Sequence, residues 1–251
     1  MTAFIKKMEH GAHLDDADRE MLRHAIGRTK QIGARHDLIQ EGDEPDNVQL
    51  ILEGFACRYK LLPDGQRSIM ALLVPGDFCD LHVAILGEMD HNIGTLSPCT
   101  VAEISRETVD YLTDENPRIT RALWWASLVD EGVLREWLVN MGRRPVEQRL
   151  GHLICELLER LRAVGLADAN SYDLPLTQEE LSDVMGCSLV HINRSLQALR
   201  SAGLIEWQGK RVIIPNVTRL MDHAGFTPNY LHLDKKRRMK GTSASLMANA
   251  N

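Results

Sequence analysis

Leu176-Thr177-Gln178-Glu179-Glu180-Leu181-Ser182-Asp183-Val184-Met185-Gly186-Cys187-Ser188 is the stretch that decides the reading of this chain. It opens with a capping box, in which the Thr177 hydroxyl caps the third amide and Glu180 reaches back to Thr177. About two turns later Gly186 ends the helix, its missing Cβ permitting a left-handed turn. Ser188 then caps a second helix, Leu189 to Ala202, which Gly203 closes. Ile192, Leu196 and Leu199 form the buried stripe of that helix. Leu189, Val190, His191, Asn193, Arg194 and Gln197 are left on its free side. Two short helices joined by a glycine turn, the second with a free polar face, form a helix-turn-helix.

Downstream, Leu204-Ile205-Glu206-Trp207 and Arg211-Val212-Ile213-Ile214 flank Gln208-Gly209-Lys210. That is a β-hairpin with glycine in its turn and Lys210 and Arg211 at its tip, the wing of a winged helix. Upstream, Val146 to Ala163 carries apolar residues at helical spacing, and Val164–Asp173 reads as a polar loop. Gly142-Arg143-Arg144-Pro145 marks a boundary, with glycine as helix stop and proline opening the next helix.

Before that boundary the period is helical over Arg118 to Trp137. Ile119, Ala122, Ala126, Val129, Val133 and Trp137 recur at intervals of three and four. About 25 residues at ~1.5 Å rise make a rod of nearly 40 Å. A stripe of this length is expected to pair with a second copy of itself; the alternative is that it packs on its own domain. From Leu38 to Ile104 the period changes to short strands. Val48–Leu52, Cys57–Leu62 and Ser68–Val74 are punctuated by Glu53-Gly54, Pro63-Asp64-Gly65-Gln66 and Pro75-Gly76-Asp77. Strands every 8–12 residues with turn signals predict an all-β roll or barrel.

Charge is unevenly divided. Residues 1–143 hold 15 Lys and Arg against 24 Asp and Glu, and the remainder is mildly basic although the whole chain is at −6. Any nucleic-acid surface is therefore local and C-terminal. No apolar run approaches a membrane span, and Met1–Lys7 lacks the apolar stretch of a signal peptide. Five scattered cysteines exclude a disulfide framework and a CxxC metal cluster. A cytoplasmic protein is expected.

Several separated motifs, in order, carry a resemblance. They are Glu41-Gly42-Asp43, Leu52-Glu53-Gly54, Pro63-Asp64-Gly65-Gln66-Arg67, Pro75-Gly76-Asp77-Phe78, Val101-Ala102-Glu103-Ile104-Ser105, and Leu176–Leu181 running to Gly203-Leu204-Ile205. From about Gly33 to Pro215 the chain resembles the Crp/Fnr transcription regulators. The resemblance implies an α+β fold: an N-terminal double-stranded β-helix (jelly-roll) sensor domain of the cyclic-nucleotide-binding type over 20–113, a long dimerisation helix over 114–143, a winged helix-turn-helix over 144–233, and a disordered basic tail over 234–251. It also implies a homodimer on a near-palindromic double-stranded DNA operator, in contact with RNA polymerase, with a small-molecule effector left open and no membrane. On this reading the DNA-binding residues are Thr177, Ser188, Leu189, Val190, His191, Asn193, Arg194, Gln197, Lys210 and Arg211. Arg194 is the residue expected on guanine.

The sequence departs from the family at the nucleotide cassette. Nucleotide-binding members carry Gly-Glu-Leu after Pro-Gly-Asp-Phe and an Arg with Ser or Thr about ten residues on. Here Asp80-Leu81-His82 and His91-Asn92 stand at those places, with Gly76 before them. Leu81 accepts no ribose hydrogen bond and a neutral His91 is a poor phosphate partner, so cyclic AMP and cyclic GMP are not expected ligands. His82, His91, Asp80, Glu88 and Asp90 could hold a metal or haem, but no HxH spacing occurs and solvated loop residues are the simpler reading. No metal and no cofactor is expected. Cys187, at a helix N-terminus near cations, is a redox candidate if its pKa is lowered; a structural role is the alternative. Two other functions compete: a metal-dependent β-roll enzyme, against which the missing His-x-His and downstream Glu speak, and a ligand-binding scaffold with a vestigial helix-turn-helix, against which Arg194 and the basic wing speak.

Overall fold

The computed structural model describes residues 2–233; Met1 and the basic tail expected over 234–251 lie outside the described residues. Two helices precede the roll, α1 (Ala3–Gly11) and α2 (Asp16–Ala25). The strands are β1 (Thr29–Ile32), β2 (Asp37–Ile39), β3 (Asn47–Glu53), β4 (Ala56–Leu61), β5 (Arg67–Leu73), β6 (Asn92–Thr95) and β7 (Cys99–Ser105), with a one-turn helix α3 (Val83–Leu86) after β5. They form two sheets, β1-β7-β3 and β2-β6-β4-β5. Every pairing is antiparallel.

Strand alternation explains why β3 and β7 read as near-continuous apolar runs. Ile51, Cys99 and Val101 point into the roll, where they meet Ile39, Ala56, Leu73 and Ile93 of the other sheet. Their neighbours Val48, Leu50, Ala102 and Ile104 point the other way, into a second core shared with helices. Both faces are buried, so polar alternation is lost.

Helix α4 (Arg106–Glu115), capped by Ser105, leads into the long α5 (Pro117–Arg143). Pro117 starts α5 where a missing N–H costs nothing. Gly142 does not stop it; the helix runs one residue further. Then follow α6 (Val146–Val164), β8 (Ser171–Asp173), α7 (Gln178–Met185), α8 (Leu189–Ser201), β9 (Glu206–Gln208), β10 (Arg211–Ile213), α9 (Val217–Ala224) and a 3₁₀ turn, Pro228–Leu231. The wing sheet has order β8-β10-β9. The supposed polar loop 164–173 thus supplies a third strand. Its anchor is Tyr172, fully buried, whose hydroxyl donates to the Ile154 carbonyl at 2.9 Å.

The α5 stripe needs a correction. Ile119, Ala122, Ala126, Val129, Val133 and Trp137 are all buried within this one chain. Helix α1 covers part of the stripe, crossing so closely that a Cβ on Gly11 would lie 2.8 Å from Ala122 Cα. The C-terminal 3₁₀ turn also packs on α5. What α5 turns outward is a different face: Trp124, Leu128, Leu134, Leu138 and Met141, between 49% and 72% exposed. Helical spacing fits both faces, and the partners on α1 and the C-terminal turn decide which one is buried. Among the described residues no helix is long and apolar enough to cross a membrane.

A buried polar seam joins the roll to the C-terminal domain. Asp77 takes Lys7 and Arg160, each at 2.6 Å. Arg160 also pairs with Glu156 at 3.2 Å, whose other oxygen accepts from Trp137 at 3.1 Å and Tyr230 at 2.8 Å. The two cations hold the Asp77 carboxyl low in spite of its burial, whereas burial wins at Glu156 and pushes its pKa up. One network therefore touches α1, the roll, α5, α6 and the C-terminal turn.

Candidate nucleic-acid interface and effector cavity

The capping box at α7 is formed on both sides: Thr177 Oγ accepts from Glu180 N at 3.2 Å, and Glu180 Oε2 accepts from Thr177 N at 2.7 Å. Gly186 takes φ +57°, a left-handed conformation that favours glycine. Arg149 of α6 donates to the Met185 carbonyl at 2.9 Å, fixing the end of α7 just before the turn.

Helix α8 buries Ile192, Ser195, Leu196 and Leu199. Ser188, Leu189, Val190, His191, Asn193, Arg194 and Gln197 are exposed. Ser188 stands at the N-cap but caps no amide; its hydroxyl lies 3.1 Å from His191 Nδ1. Among the described residues Arg194 has no hydrogen-bonded or ionic partner, so its guanidinium is free to meet an acceptor. Thr177, also exposed, sits at the start of α7 with its hydroxyl committed to the cap.

The wing divides the two basic residues that the sequence groups together. Lys210 is exposed in the two-residue turn between Gln208 and Arg211. Arg211 is instead tied down by Asp168, by Asp173 at 3.2 Å and by Ser171 Oγ at 2.7 Å, and it holds β10 to β8. Its expected role on DNA is therefore withdrawn. Two exposed cations that periodicity did not flag stand nearby. Arg200 reaches the Trp207 carbonyl at 3.4 Å, and Arg219 the Ala202 carbonyl at 2.9 Å. Both lie next to helix ends, where charge alone gives no sequence signal.

Cys187 does not match its redox reading. Burial raises its thiol pKa, and Arg149 only partly offsets this. A raised pKa lowers the thiolate fraction at neutral pH. The residue lines a cleft of about 960 Å³ between the roll and the helix-turn-helix, together with Tyr59, Arg67, Asp183 and Ser188. Arg67 bridges this cleft to Asp183 at 2.7 Å, joining β5 to α7.

A second cavity of about 510 Å³ lies between the roll and α5. Leu81, His82 and His91 line it; Gly76, Asp80 and Asn92 do not. Gly76 packs against the backbone of α1. Asp80 is fully buried with Oδ1 accepting from Gln49 N at 2.7 Å, and burial pushes its pKa up to about 7. Asn92 accepts from Glu41 N at 3.1 Å. The cavity does contain cations that the cassette comparison missed, Arg58, Lys7 and Arg160. All three are committed: Arg58 to Asp130 at 3.2 Å and to the carbonyls of Phe78 and Cys79, the others to Asp77. Burial lowers the pKa of both His82 and His91.

An antiparallel roll, a long helix and a winged helix-turn-helix with an exposed second helix follow one another in a single chain, the architecture of a DNA-binding regulator. Residues 29–116 match the cyclic nucleotide-binding domain, and residues 148–223 the Crp-like helix-turn-helix domain. The transcriptional activator protein FnrL of Cereibacter sphaeroides is 28% identical over 198 residues, 76% of this chain and 78% of that protein. The nitrogen fixation regulation protein FixK of Bradyrhizobium diazoefficiens is 25% identical over 192 residues, 76% and 79% of the two chains. The structure of FixK2 from Bradyrhizobium japonicum superposes with a TM-score of 0.69 at 22% identity, over 78% of this chain and 96% of that one. The chain belongs to the Crp/Fnr family of transcription regulators. Such regulators bind DNA, usually as dimers.

Proposed function

We propose that this protein acts in the cytoplasm as a homodimer that binds a near-palindromic DNA operator and regulates transcription in contact with RNA polymerase, without catalysis. The observation that carries this reading is the free face of α8. At its N-terminal end Leu189, Val190, His191, Asn193, Gln197 and an unpartnered Arg194 are solvent-facing, together with the Ser188 cap, while the opposite face is buried. A helix presented in this way fits the major groove with its first turns toward base edges. On this reading Arg194 binds guanine O6 and N7; Asn193 and Gln197 suit adenine or phosphate; Leu189 and Val190 suit a thymine methyl. On the same reading the exposed cations Lys210, Arg200 and Arg219 meet phosphates, contacts that position the protein and carry no sequence information.

The outward face of α5 supports pairing of two copies. Trp124, Leu128, Leu134 and Leu138 make an apolar strip too large for a helix whose other side is already buried. The cavity chemistry supports an effector other than a cyclic nucleotide, since every cation lining it is paired with an acid or a carbonyl. Selection from a random DNA pool tests the proposal. It should return a two-fold symmetric site whose half-sites lie about 34 Å apart, one helical turn. Recovery of no enriched sequence would overturn it.

A further inference from the structure

The cavity under α5 contains a group of side chains that the sequence scatters and the fold collects. His82 sits at the N-terminus of α3, while Asp90 and His91 lead into β6. Their donor atoms all lie within 4.8 Å of one another. The two imidazole rings face each other at 5.5 Å between centroids, tilted by 31°.

The hydrogen bonding around them is one-sided. His91 is buried, with 8% of its surface exposed, and its Nδ1 is held by Asp90 Oδ1 at 2.5 Å. Its Nε2 is shielded from solvent and has no hydrogen-bond partner among the described residues. His82 Nε2 is in the same condition. Buried ring nitrogens are ordinarily paired, and two left over in one wall of one cavity need a reason. A carboxylate on Nδ1 is the arrangement that orients an imidazole and raises its basicity for a metal on Nε2.

We propose that the Nε2 atoms of His82 and His91, with Asp90 holding the His91 ring through Nδ1, form a binding site for a divalent first-row transition ion of the Zn²⁺ or Co²⁺ kind. Two imidazole nitrogens suit these ions and leave Mg²⁺ and Ca²⁺ disfavoured. A tetrahedral ion at about 2.0–2.1 Å from each nitrogen holds the two about 3.4 Å apart. The remaining ligand positions open toward the cavity, which is walled by Leu72, Phe78 and Leu81 and bounded by α5. Arg58, hydrogen-bonded to the Phe78 and Cys79 carbonyls and to Asp130, ties the segment carrying His82 to α5. The site thus lies beside the helix proposed to pair, and its existence does not depend on DNA binding.

The test uses the full chain, stripped of metal with a chelator and titrated with Co²⁺, followed by visible absorption, with Zn²⁺ competition. The expected result is one Co²⁺ per chain with the intense visible bands of a tetrahedral site, displaced by Zn²⁺. His82→Gln and His91→Gln should each weaken binding by about 100-fold or more, and Asp90→Asn by about 10- to 100-fold. His82 is half-buried and Asp90 exposed, so those two variants decide the matter if His91→Gln fails to fold by circular dichroism. Saturation weaker than about 1 mM, or a Co²⁺ spectrum unchanged in His82→Gln and Asp90→Asn, would overturn the proposal.

Discussion

Replacing Leu128 and Leu138 together by Glu should separate the protein into folded monomers. The two residues stand on the outward face of α5, 57% and 66% exposed. Full burial of a leucine is worth about 1.5–3 kcal/mol, so the fraction still exposed contributes about 1–2 kcal/mol when a partner covers it. Each substitution counts twice in a symmetric dimer, which makes the loss about 4–8 kcal/mol before any carboxylate desolvation. That raises the dimer Kd by about 10³- to 10⁶-fold. Sedimentation equilibrium at low micromolar concentration reads the outcome, with circular dichroism to confirm that the fold is kept. Val129→Glu is the control. Val129 is 7% exposed and faces the chain's own core, so a carboxylate there should lower the melting temperature rather than release a folded monomer. A Leu128→Glu/Leu138→Glu protein that stays dimeric, together with a folded monomeric Val129→Glu, would refute the assignment of the outward face and restore the inner stripe as the interface.

Three further outcomes follow from the same geometry. His152 is fully buried, and burial together with the Arg144 guanidinium lowers its pKa from 6.5 to about 4. The unfolded chain takes up that proton first as pH falls, so stability present at pH 7 is lost between about 6.5 and 4, by up to about 3 kcal/mol; urea melts of His152→Gln should lack that part of the decline. Lys210→Ala should weaken all DNA sequences alike and reduce the slope of log affinity against log salt by about one per lost contact, whereas Arg211→Ala should leave the slope unchanged and lower stability through β8 and β10. Calorimetric titration with cyclic AMP or cyclic GMP should show no binding tighter than about 1 mM, because a phosphate must compete with Asp130 and Asp77 for the cavity's cations; a micromolar Kd would mean that those pairs open at little cost.

The helix-turn-helix was legible in the sequence because each of its signals is local. Capping box, glycine turn and amphipathic stripe fall within 28 residues, and the structure has all three, although Ser188 stands at the start of α8 without capping an amide. Strands β3, β4 and β5 were legible for the same reason, since Gly54 and Pro63–Gly65 bound them. What remained hidden depends on which surface meets which. The direction of α5 hangs largely on α1, a nine-residue helix whose Phe4, Ile5 and Met8 share the core with the inner stripe and whose Gly11 crosses close over Ala122. The commitment of Arg211 depends on Asp168 and Asp173, about forty residues away along the chain. Strand β8 is too short for a period to register. At the cavity, His82 and His91 look like loop residues until the fold sets them face to face. Arg58 sits in a strand as one more alternating polar position, and nothing in the sequence connects it to Asp130.

The central claim is that α8 reads base edges through Arg194 while the wing only holds phosphates. Selecting bound sequences from one random DNA pool with the wild type, Arg194→Ala and Lys210→Ala measures this directly. Arg194→Ala should lose about 1–3 kcal/mol per bidentate contact and relax preference at a single position in each half-site. Lys210→Ala should return the wild-type sequence with lower affinity throughout. An Arg194→Ala protein that selects the wild-type sequence, beside a Lys210→Ala protein that selects a different one, would contradict the account.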